Sequence, residues 1–127
     1  HGILHSFPTR RSSDLVFRNN IFWGDEGFVT NEAIVNKQGA NAFNVLFEKN
    51  LYRVASDPAN STLASNIKNQ NPSFDSIDVS KRIFDFRITK NTTAPGINTG
   101  MATGFPKDLD DRNRSVGLPD MGCYEKQ

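Results

Sequence analysis

The sequence predicts an all-β fold in which short strands stack into a solenoid that ends in an irregular cap. Three observations support this prediction. Two seven-residue segments resemble each other at an offset of thirty residues, asparagine accounts for fourteen of the 127 residues, and five of the nine glycines fall in the last 32. Repetition at this period is typical of solenoids, asparagine suits tight corners, and a glycine-rich tail suits an irregular end cap.

Residues 1–15 differ in composition and in hydrophobic pattern from the rest of the chain. In residues 5–15, HSFPTRRSSDL, the only large apolar residues are Phe7 and Leu15, so neither a helical nor a strand period is present. The stretch resembles an in-frame translation of a common short-read sequencing adapter over all eleven residues. We therefore expect residues 1–15 to be a disordered, non-native artefact. The alternatives are a disordered basic terminus and a nucleic-acid-binding arm, for which two arginines are a small charge.

Removing this segment changes which chemistry the chain can support. Without Arg10, Arg11 and Asp14, basic and acidic residues are equal in number, so no basic field predicts nucleic acid or an anionic membrane surface as a partner. The only histidines, His1 and His5, are removed as well. The rest of the chain therefore has no His-ligated zinc site, Ser-His-Asp triad or Cys-His pair of its own.

The remaining length suits one domain with a modest core, to which phenylalanine contributes most. No apolar run approaches the length of a membrane span, and an artefactual start would hide any signal peptide. The single cysteine, Cys123, cannot form an internal disulfide, and we expect it to pack against its neighbours.

Two segments are predicted to be equivalent strand pairs of neighbouring layers. FRNNIFW at 17–23 and FEKNLYR at 47–53 share a phenylalanine, a polar gap, an asparagine, a branched aliphatic residue and an aromatic residue. The spacing places Asn20 above Asn50, and stacked amides can form a hydrogen-bonded ladder. A chance similarity between two short strands is the alternative. Asparagine is also a common loop residue, and we prefer that reading for four others, Asn31, Asn41, Asn60 and Asn69.

The other segments complete the predicted organisation. FVTNEAIVN at 28–36 is a further short extended run. IFDFRIT at 83–89 alternates apolar and polar residues and is the clearest single strand. We therefore expect solenoid layers over residues 16–89 and an irregular capping segment over residues 90–127, which would cover the exposed end of the last layer.

Six motifs carry a family resemblance. In order, they are NNIFWGD at 19–25, FNVLFEKNLYRV at 43–54, NPSF at 71–74, DFRI at 85–88, APGINTG at 94–100 and DLDDRNRSVGLPDMGCYE at 108–125. Together they resemble the C-terminal portion of bacterial right-handed parallel β-helix repeat proteins, the pectate-lyase-like group that includes choice-of-anchor surface proteins. Endings in that group look like SPAIDAG, DLDGNPR and DIGAYE. Here Asn98 stands at the usual aspartate of the first motif, and Asp111 stands at the usual glycine of the second.

The resemblance implies a C-terminal fragment of a secreted or cell-surface protein that binds or cleaves polysaccharide. The parent would then be a polysaccharide lyase or a glycoside hydrolase. Its calcium and catalytic side chains would lie in upstream rungs of the same chain, so no cofactor and no catalytic residue is expected in this part. The alternative function is a non-enzymatic structural or adhesive surface stalk.

Two aromatic residues are the predicted carbohydrate-binding residues, Trp23 and Tyr52, because flat aromatic faces suit sugar rings. Core packing is the alternative for Trp23. The cations Arg18, Lys49 and Arg53 are too few to define a catalytic base, and a solvated strand face is the preferred interpretation.

Three clustered carboxylates, Asp108, Asp110 and Asp111, suggest a calcium site, since hard cations prefer clustered oxygen ligands. The loop lacks the glycine and the distal acid of a calcium hand, so ion pairing within the cap is the preferred interpretation. The remaining predicted cap residues supply arginine partners and hydrogen-bond acceptors, and they are Arg112, Arg114, Asp120 and Glu125.

Overall fold

The computed structural model describes residues 13–24 and 27–126, which contain eight strands and no helix. The strands are β1 (Ser13–Arg18), β2 (Ile21–Phe22), β3 (Phe43–Glu48), β4 (Leu51–Tyr52), β5 (Thr62–Ala64), β6 (Ile67–Lys68), β7 (Ser76–Asp78) and β8 (Ile83–Asp85). They form a parallel sheet in the order β1-β3-β5, a parallel sheet in the order β2-β4-β6, and an antiparallel pair of β7 with β8. The described part of the chain is therefore all-β.

Three similar corners connect the two parallel sheets. Each strand of the first sheet runs through a two-residue corner into a strand of the second sheet, so the chain makes three stacked layers. The first corner residue has a positive φ in each case, 58° at Asn19, 57° at Lys49 and 54° at Ser65. A left-handed residue reverses the chain sharply, and asparagine tolerates this conformation better than most residues do.

The core lies between these two sheets, and the connection from β2 to β3 packs against it. Phe17 pairs with Phe47, and Phe47 pairs with Leu63, so one apolar column crosses all three layers. The Phe17 and Phe47 rings stack with centroids 5.0 Å apart, and the Phe47 and Tyr52 rings stack at 6.1 Å. The register of β2 with β4 places Ile21 opposite Leu51, which agrees with the predicted offset of thirty residues.

The predicted right-handed parallel β-helix over residues 16–89 is wrong. The strands are short, at two to six residues, and the asparagines of successive layers are separated by 30 and then by 16 residues. The strand pair that follows, β7 with β8, is an antiparallel hairpin and not a further layer.

The hairpin has a local cause. Only four residues join β7 to β8, and a connection this short joins antiparallel strands, whereas parallel strands need a crossover of a dozen residues or more. Asp78 Oδ1 accepts hydrogen bonds from Ser80 Oγ at 2.7 Å and from the Lys81 backbone N–H at 3.1 Å. Arg82 completes the turn with a φ of 55°. The Asp-Val-Ser-Lys-Arg sequence therefore selects a tight reversal at this point.

The C-terminal segment is irregular, but it does not occupy the predicted position. It is anchored to the corner of the first layer, where Asn19 Nδ2 donates to Met101 O at 2.7 Å and Met101 N donates to Asn19 Oδ1 at 2.9 Å. The Gly122 N–H also donates to Asn19 O at 2.6 Å. These contacts place the segment beside the first layer, whereas the prediction placed it over the last.

The predicted boundary between residues 15 and 16 falls inside β1. Ser13, Asp14 and Leu15 pair with Phe43 and its two successors in β3. The rest of the segment that resembles a translated adapter, residues 1–12, lies outside the described residues. Its foreign origin stays a prediction.

Candidate functional site

An open groove of about 620 Å³ lies between the first layer and the C-terminal half of the chain. One wall is formed by the corner that joins β1 to β2, and the other by the segments around β8 and Lys107. Four aromatic side chains line the groove, Trp23, Phe74, Phe86 and Phe105. Its volume lies within the range of small-molecule binding sites, which are mostly apolar with a few polar groups.

The aromatic side chains form a partly exposed platform. The Phe74 and Phe86 rings meet edge to face with centroids 5.2 Å apart, and the Phe86 ring stacks on Phe84 at 6.4 Å. Phe105 is 74% exposed, and Trp23 is half-buried. Aromatic pairs in these geometries hold each other in place, so Phe74 and Phe86 have defined ring positions in the groove.

Three cations line the groove, and two of them are already paired with carboxylates. Arg18 Nε lies 2.6 Å from Glu48 Oε1, and Arg114 Nη1 lies 3.0 Å from Glu125 Oε1. Lys107 Nζ instead donates to a backbone carbonyl oxygen at 3.2 Å, and the side chain is exposed. Lys107 is therefore the groove cation that is best placed to donate hydrogen bonds to a ligand.

Asp108 borders the groove as a buried anchor for the surrounding loop. Its Oδ1 accepts the backbone N–H groups of Asp110 and Arg112, both at 2.8 Å, and its Oδ2 accepts the Glu125 N–H at 2.6 Å. Burial pushes the pKa of Asp108 upward, but the three N–H donors outweigh it and hold the pKa below its ordinary value. The ionised carboxylate is thus used to fix the loop.

The other two carboxylates of the predicted calcium site have different surroundings. Arg87 binds Asp110 through both Nε and Nη2, each at 2.7 Å, and this pairing lowers the pKa of Asp110. Asp111 is exposed and has a φ of 61°. Within residues 13–24 and 27–126, no group of three or more histidine, cysteine, aspartate or glutamate side chains could hold a metal ion. The geometry around Asp108 and Asp110 is that of loop anchoring and ion pairing.

The predicted cap residues lie in one buried network. Glu125 accepts hydrogen bonds from Arg114 Nη1 at 3.0 Å and from the Asp120 N–H at 2.9 Å. Asp120 in turn accepts the N–H groups of Asn98 at 2.7 Å and Lys126 at 2.6 Å. Burial raises the pKa of Glu125 despite these donors. The fourth predicted residue binds at the edge of the network, where Arg112 Nη1 donates to Glu125 O at 3.5 Å.

Asn20 and Asn50 lie one above the other, with Asn20 Nδ2 donating to Asn50 Oδ1 at 3.0 Å. A third asparagine, which sequence reasoning missed, extends the ladder, because Asn50 Nδ2 donates to Asn66 Oδ1 at 3.1 Å. The signal for Asn66 was the pair Asn-Ile, which matches Asn-Ile at 20–21 and Asn-Leu at 50–51. Its flanking residues lack the aromatic positions of the first two layers.

The two predicted sugar-binding aromatics have different positions. Trp23 lines the groove. Tyr52 is only 1% exposed, and burial raises the pKa of its hydroxyl, so its ring presents no face to a ligand and the interpretation of Tyr52 as a sugar-binding residue is wrong. The groove residues Phe74, Phe86 and Phe105 were not predicted, since they come together only in the folded chain.

Sequence analysis preferred a solvated strand face over a catalytic role for three cations, and these also lie in different parts of the structure. Arg18 lines the groove, Lys49 forms the second corner, and Arg53 Nη1 donates to Gly24 O at 2.5 Å. Two of the three therefore serve local structure.

Comparison with protein-family models and with curated proteins finds no match to this chain. The residues that the structure describes form no helix long and apolar enough to cross a membrane.

Proposed function

We propose that this chain is a non-catalytic, polysaccharide-binding part of a secreted or cell-surface protein, and that the groove holds the sugar. The observation that carries the proposal is the aromatic platform of Trp23, Phe74, Phe86 and Phe105 along one open groove. The motifs that resemble those of bacterial choice-of-anchor surface proteins support the location and the class of ligand.

The chemistry of the groove suits a sugar chain. The apolar face of a pyranose ring packs against a flat aromatic face, and the exposed ring of Phe105 offers such a face in the groove. Sugar hydroxyls need hydrogen-bond partners, and the exposed Lys107 ammonium, which makes one bond to a backbone carbonyl, has donors left to supply them. The combination of apolar stacking and a few polar groups is typical of ligand sites.

Affinity gel electrophoresis tests the proposal with soluble polysaccharides as probes, using xylan, β-glucan, alginate and polygalacturonate in separate gels. We expect at least one of them to retard the protein. Phe105→Ala removes an exposed ring at little cost to the core, so it should abolish the retardation.

The matched control is Phe28→Ala, because Phe28 is 87% exposed and lies outside the groove. Retardation of this variant should equal that of the unmodified protein. The proposal is overturned if no polysaccharide retards the protein, or if the two variants behave alike. The fluorescence of Trp23, the single tryptophan, gives a second readout, since a sugar bound in the groove changes its environment.

A structural or adhesive role is the second candidate function. It is favoured by the outer strands of the two parallel sheets, which offer edges for assembly.

A further inference from the structure

The two parallel sheets end in edges of the same kind on opposite sides of the three-layer stack. β1 and β2 are the outer strands on one side, and β5 and β6 are the outer strands on the other. Every pairing within these sheets is parallel and keeps the same order of corner and strand. The edge formed by β5 and β6 therefore presents the same kind of hydrogen-bonding groups that β1 presents to β3 and β2 presents to β4.

The asparagine ladder shows the pattern in detail. The Asn20 N–H donates to Asn50 Oδ1, and the Asn50 N–H donates to Asn66 Oδ1, both at 3.0 Å. In the return direction, the Leu51 N–H donates to Asn20 O at 2.9 Å and the Ile67 N–H to Asn50 O at 2.7 Å.

The side-chain amides follow the same rule. Asn50 Nδ2 donates to Phe17 O at 2.9 Å, and Asn66 Nδ2 donates to Phe47 O at 2.8 Å. Within residues 13–24 and 27–126 no layer precedes that of Asn20, and Asn20 Nδ2 donates to Arg18 O, two residues earlier, at 3.0 Å. In the described part of the chain, each type of hydrogen bond in the asparagine ladder therefore leaves one group without a partner in a neighbouring layer at each end of the stack.

The groups at the two ends are complementary. Among the described residues, β2 pairs with β4 alone, and the side-chain hydrogen bonds of Asn20 use its Nδ2 and not its Oδ1. At the other end, the backbone N–H and C=O of Asn66 are the next donor and acceptor of the same series. The acceptor that corresponds to Phe17 O and Phe47 O is Leu63 O.

The apolar column is also open at both ends. Phe17 and Leu63 are its outermost members, and Leu63 is 36% exposed. Leu15 shares the inner face of β1 with Phe17 and is 52% exposed, whereas its partner Val45 in the next layer is buried. Stacking a further layer on either end would bury this apolar surface.

We propose that copies of this chain associate head to tail, with β5 and β6 of one copy pairing in parallel with β1 and β2 of the next. The Asn66 N–H of the first copy then donates to Asn20 Oδ1 of the second, and Ile21 N–H of the second donates to Asn66 O of the first. Asn20 Nδ2 keeps its bond to Asn50 Oδ1 and donates its other hydrogen to Leu63 O in place of Arg18 O. Because the two surfaces differ, each added copy leaves one edge of each kind open, and the assembly does not close.

The edge that would join the next copy lacks the usual protection against pairing. Natural proteins block outer strands with lysine or proline. The only such residue in β5 or β6 is Lys68, and its ammonium pairs with Asp57 at 3.0 Å. Its charge therefore opposes association only weakly.

Sedimentation velocity on the full 127-residue chain tests the proposal. The weight-average mass should rise with concentration beyond that of a dimer. Leu63→Lys blocks one edge and Leu15→Lys blocks the other, and each should weaken self-association about tenfold or more. Val116→Lys is the matched control, because Val116 is exposed and lies in the C-terminal segment, and it should behave like the unmodified chain.

Mixing the two edge variants gives the decisive result. Each variant keeps the edge that the other has lost, so the mixture should form a 1:1 complex that stops at two copies. A concentration-independent monomer for the unmodified chain overturns the proposal, and so does a mixture that stays monomeric while both variants keep the unmodified circular dichroism spectrum. Leu15 and Leu63 lie outside the groove, whereas Asn20 and Ile21 line it, so a bound sugar and a second copy would compete for the edge formed by β1 and β2. Sedimentation is run without polysaccharide, and its outcome therefore tests the association alone.

Discussion

Asn50 is the side chain whose loss we expect to destabilise the protein most. It is fully buried, its Nδ2 donates to Phe17 O and Asn66 Oδ1, and its Oδ1 accepts the N–H groups of Asn20. Asn50→Ala leaves these buried groups without partners, and we expect it to lower the free energy of unfolding by about 3 kcal/mol in urea titrations.

Asn44→Ala is the control for this measurement. Asn44 is exposed, and its amide donates to Asp14 Oδ1 at the surface. An exposed contact of this kind contributes less than about 0.5 kcal/mol. Equal losses in the two variants would mean that the ladder contributes no more than a surface hydrogen bond.

Asp108 should make the stability depend on pH. Burial acts to raise its pKa, but the N–H donors around it lower the pKa below the ordinary value of 3.8. The ionised form is therefore favoured by folding, and its contribution is present above pH 3.8 and is lost as the pH falls through the lower folded value. Asp108→Asn should reduce stability at neutral pH and flatten its decline in acid, as followed by urea unfolding at a series of pH values.

Asp111→Asn is the matched comparison, because Asp111 is exposed and asparagine tolerates its positive φ. This variant should keep both the neutral-pH stability and the acid decline of the unmodified protein. If Asp108→Asn declines in acid as steeply as Asp111→Asn does, the anchoring role of Asp108 is excluded.

At the scale of elements, Arg87 links the hairpin to the C-terminal segment. Its guanidinium binds Asp85 and Asp110 and lies 4.6 Å from the Tyr124 ring centroid. Lysine cannot form the bidentate ion pair with Asp110 or stack on the Tyr124 ring as a guanidinium does. Arg87→Lys should therefore lower the free energy of unfolding by about 1 kcal/mol and speed amide exchange in β7 and β8.

Lys81→Ala supplies the comparison for the hairpin. Lys81 lies 3.8 Å from Asp78 in an exposed pair within the turn, and such pairs contribute little. Exchange in β7 and β8 should stay close to that of the unmodified protein. Faster exchange in Lys81→Ala than in Arg87→Lys would place the stabilising contact in the turn itself.

Local patterns predicted some elements and missed others for identifiable reasons. The similarity between 17–23 and 47–53 gave the correct register, since matching residues stack in parallel strands. The alternation over 83–89 suggested a long strand, but β8 ends at Asp85, whose Oδ1 accepts the Arg87 N–H at 3.2 Å. A side chain that binds the backbone two residues ahead favours a turn, and this competes with strand periodicity.

For the whole molecule, the contact between the C-terminal segment and the first corner depends on one glycine. A Cβ at position 100 would lie 2.8 Å from Pro119 O and 2.9 Å from Asn19 Oδ1. Gly100→Ala must displace the backbone at this contact, and we expect it to cost about 2 kcal/mol and to lower the melting temperature in calorimetry.

Gly96→Ala is the matched control, since Gly96 is buried in the same region but a Cβ there meets Met121 at 3.6 Å, an ordinary contact distance. Its melting temperature should change little. If both variants have the melting temperature of the unmodified protein, the attachment of the C-terminal segment does not depend on close packing against Asn19.

The arrangement of the whole chain was the least predictable feature. Phe74, Phe86 and Phe105 lie in separate segments, and only folding brings them to the groove beside Trp23. No local period encodes this proximity. The solenoid expectation failed for the same reason, because two equivalent layers do not determine whether the next strands continue the stack or fold back as a hairpin.

The unequal spacing of the layers has a consequence for how this protein can vary. Twenty residues separate β2 from β3, but only nine separate β4 from β5, and yet the corners keep the same left-handed geometry. Doubling the length of a flexible connection costs only about 0.6 kcal/mol of closure entropy. Insertions and deletions between homologues should therefore accumulate between β2 and β3, while the two residues of each corner stay fixed in number.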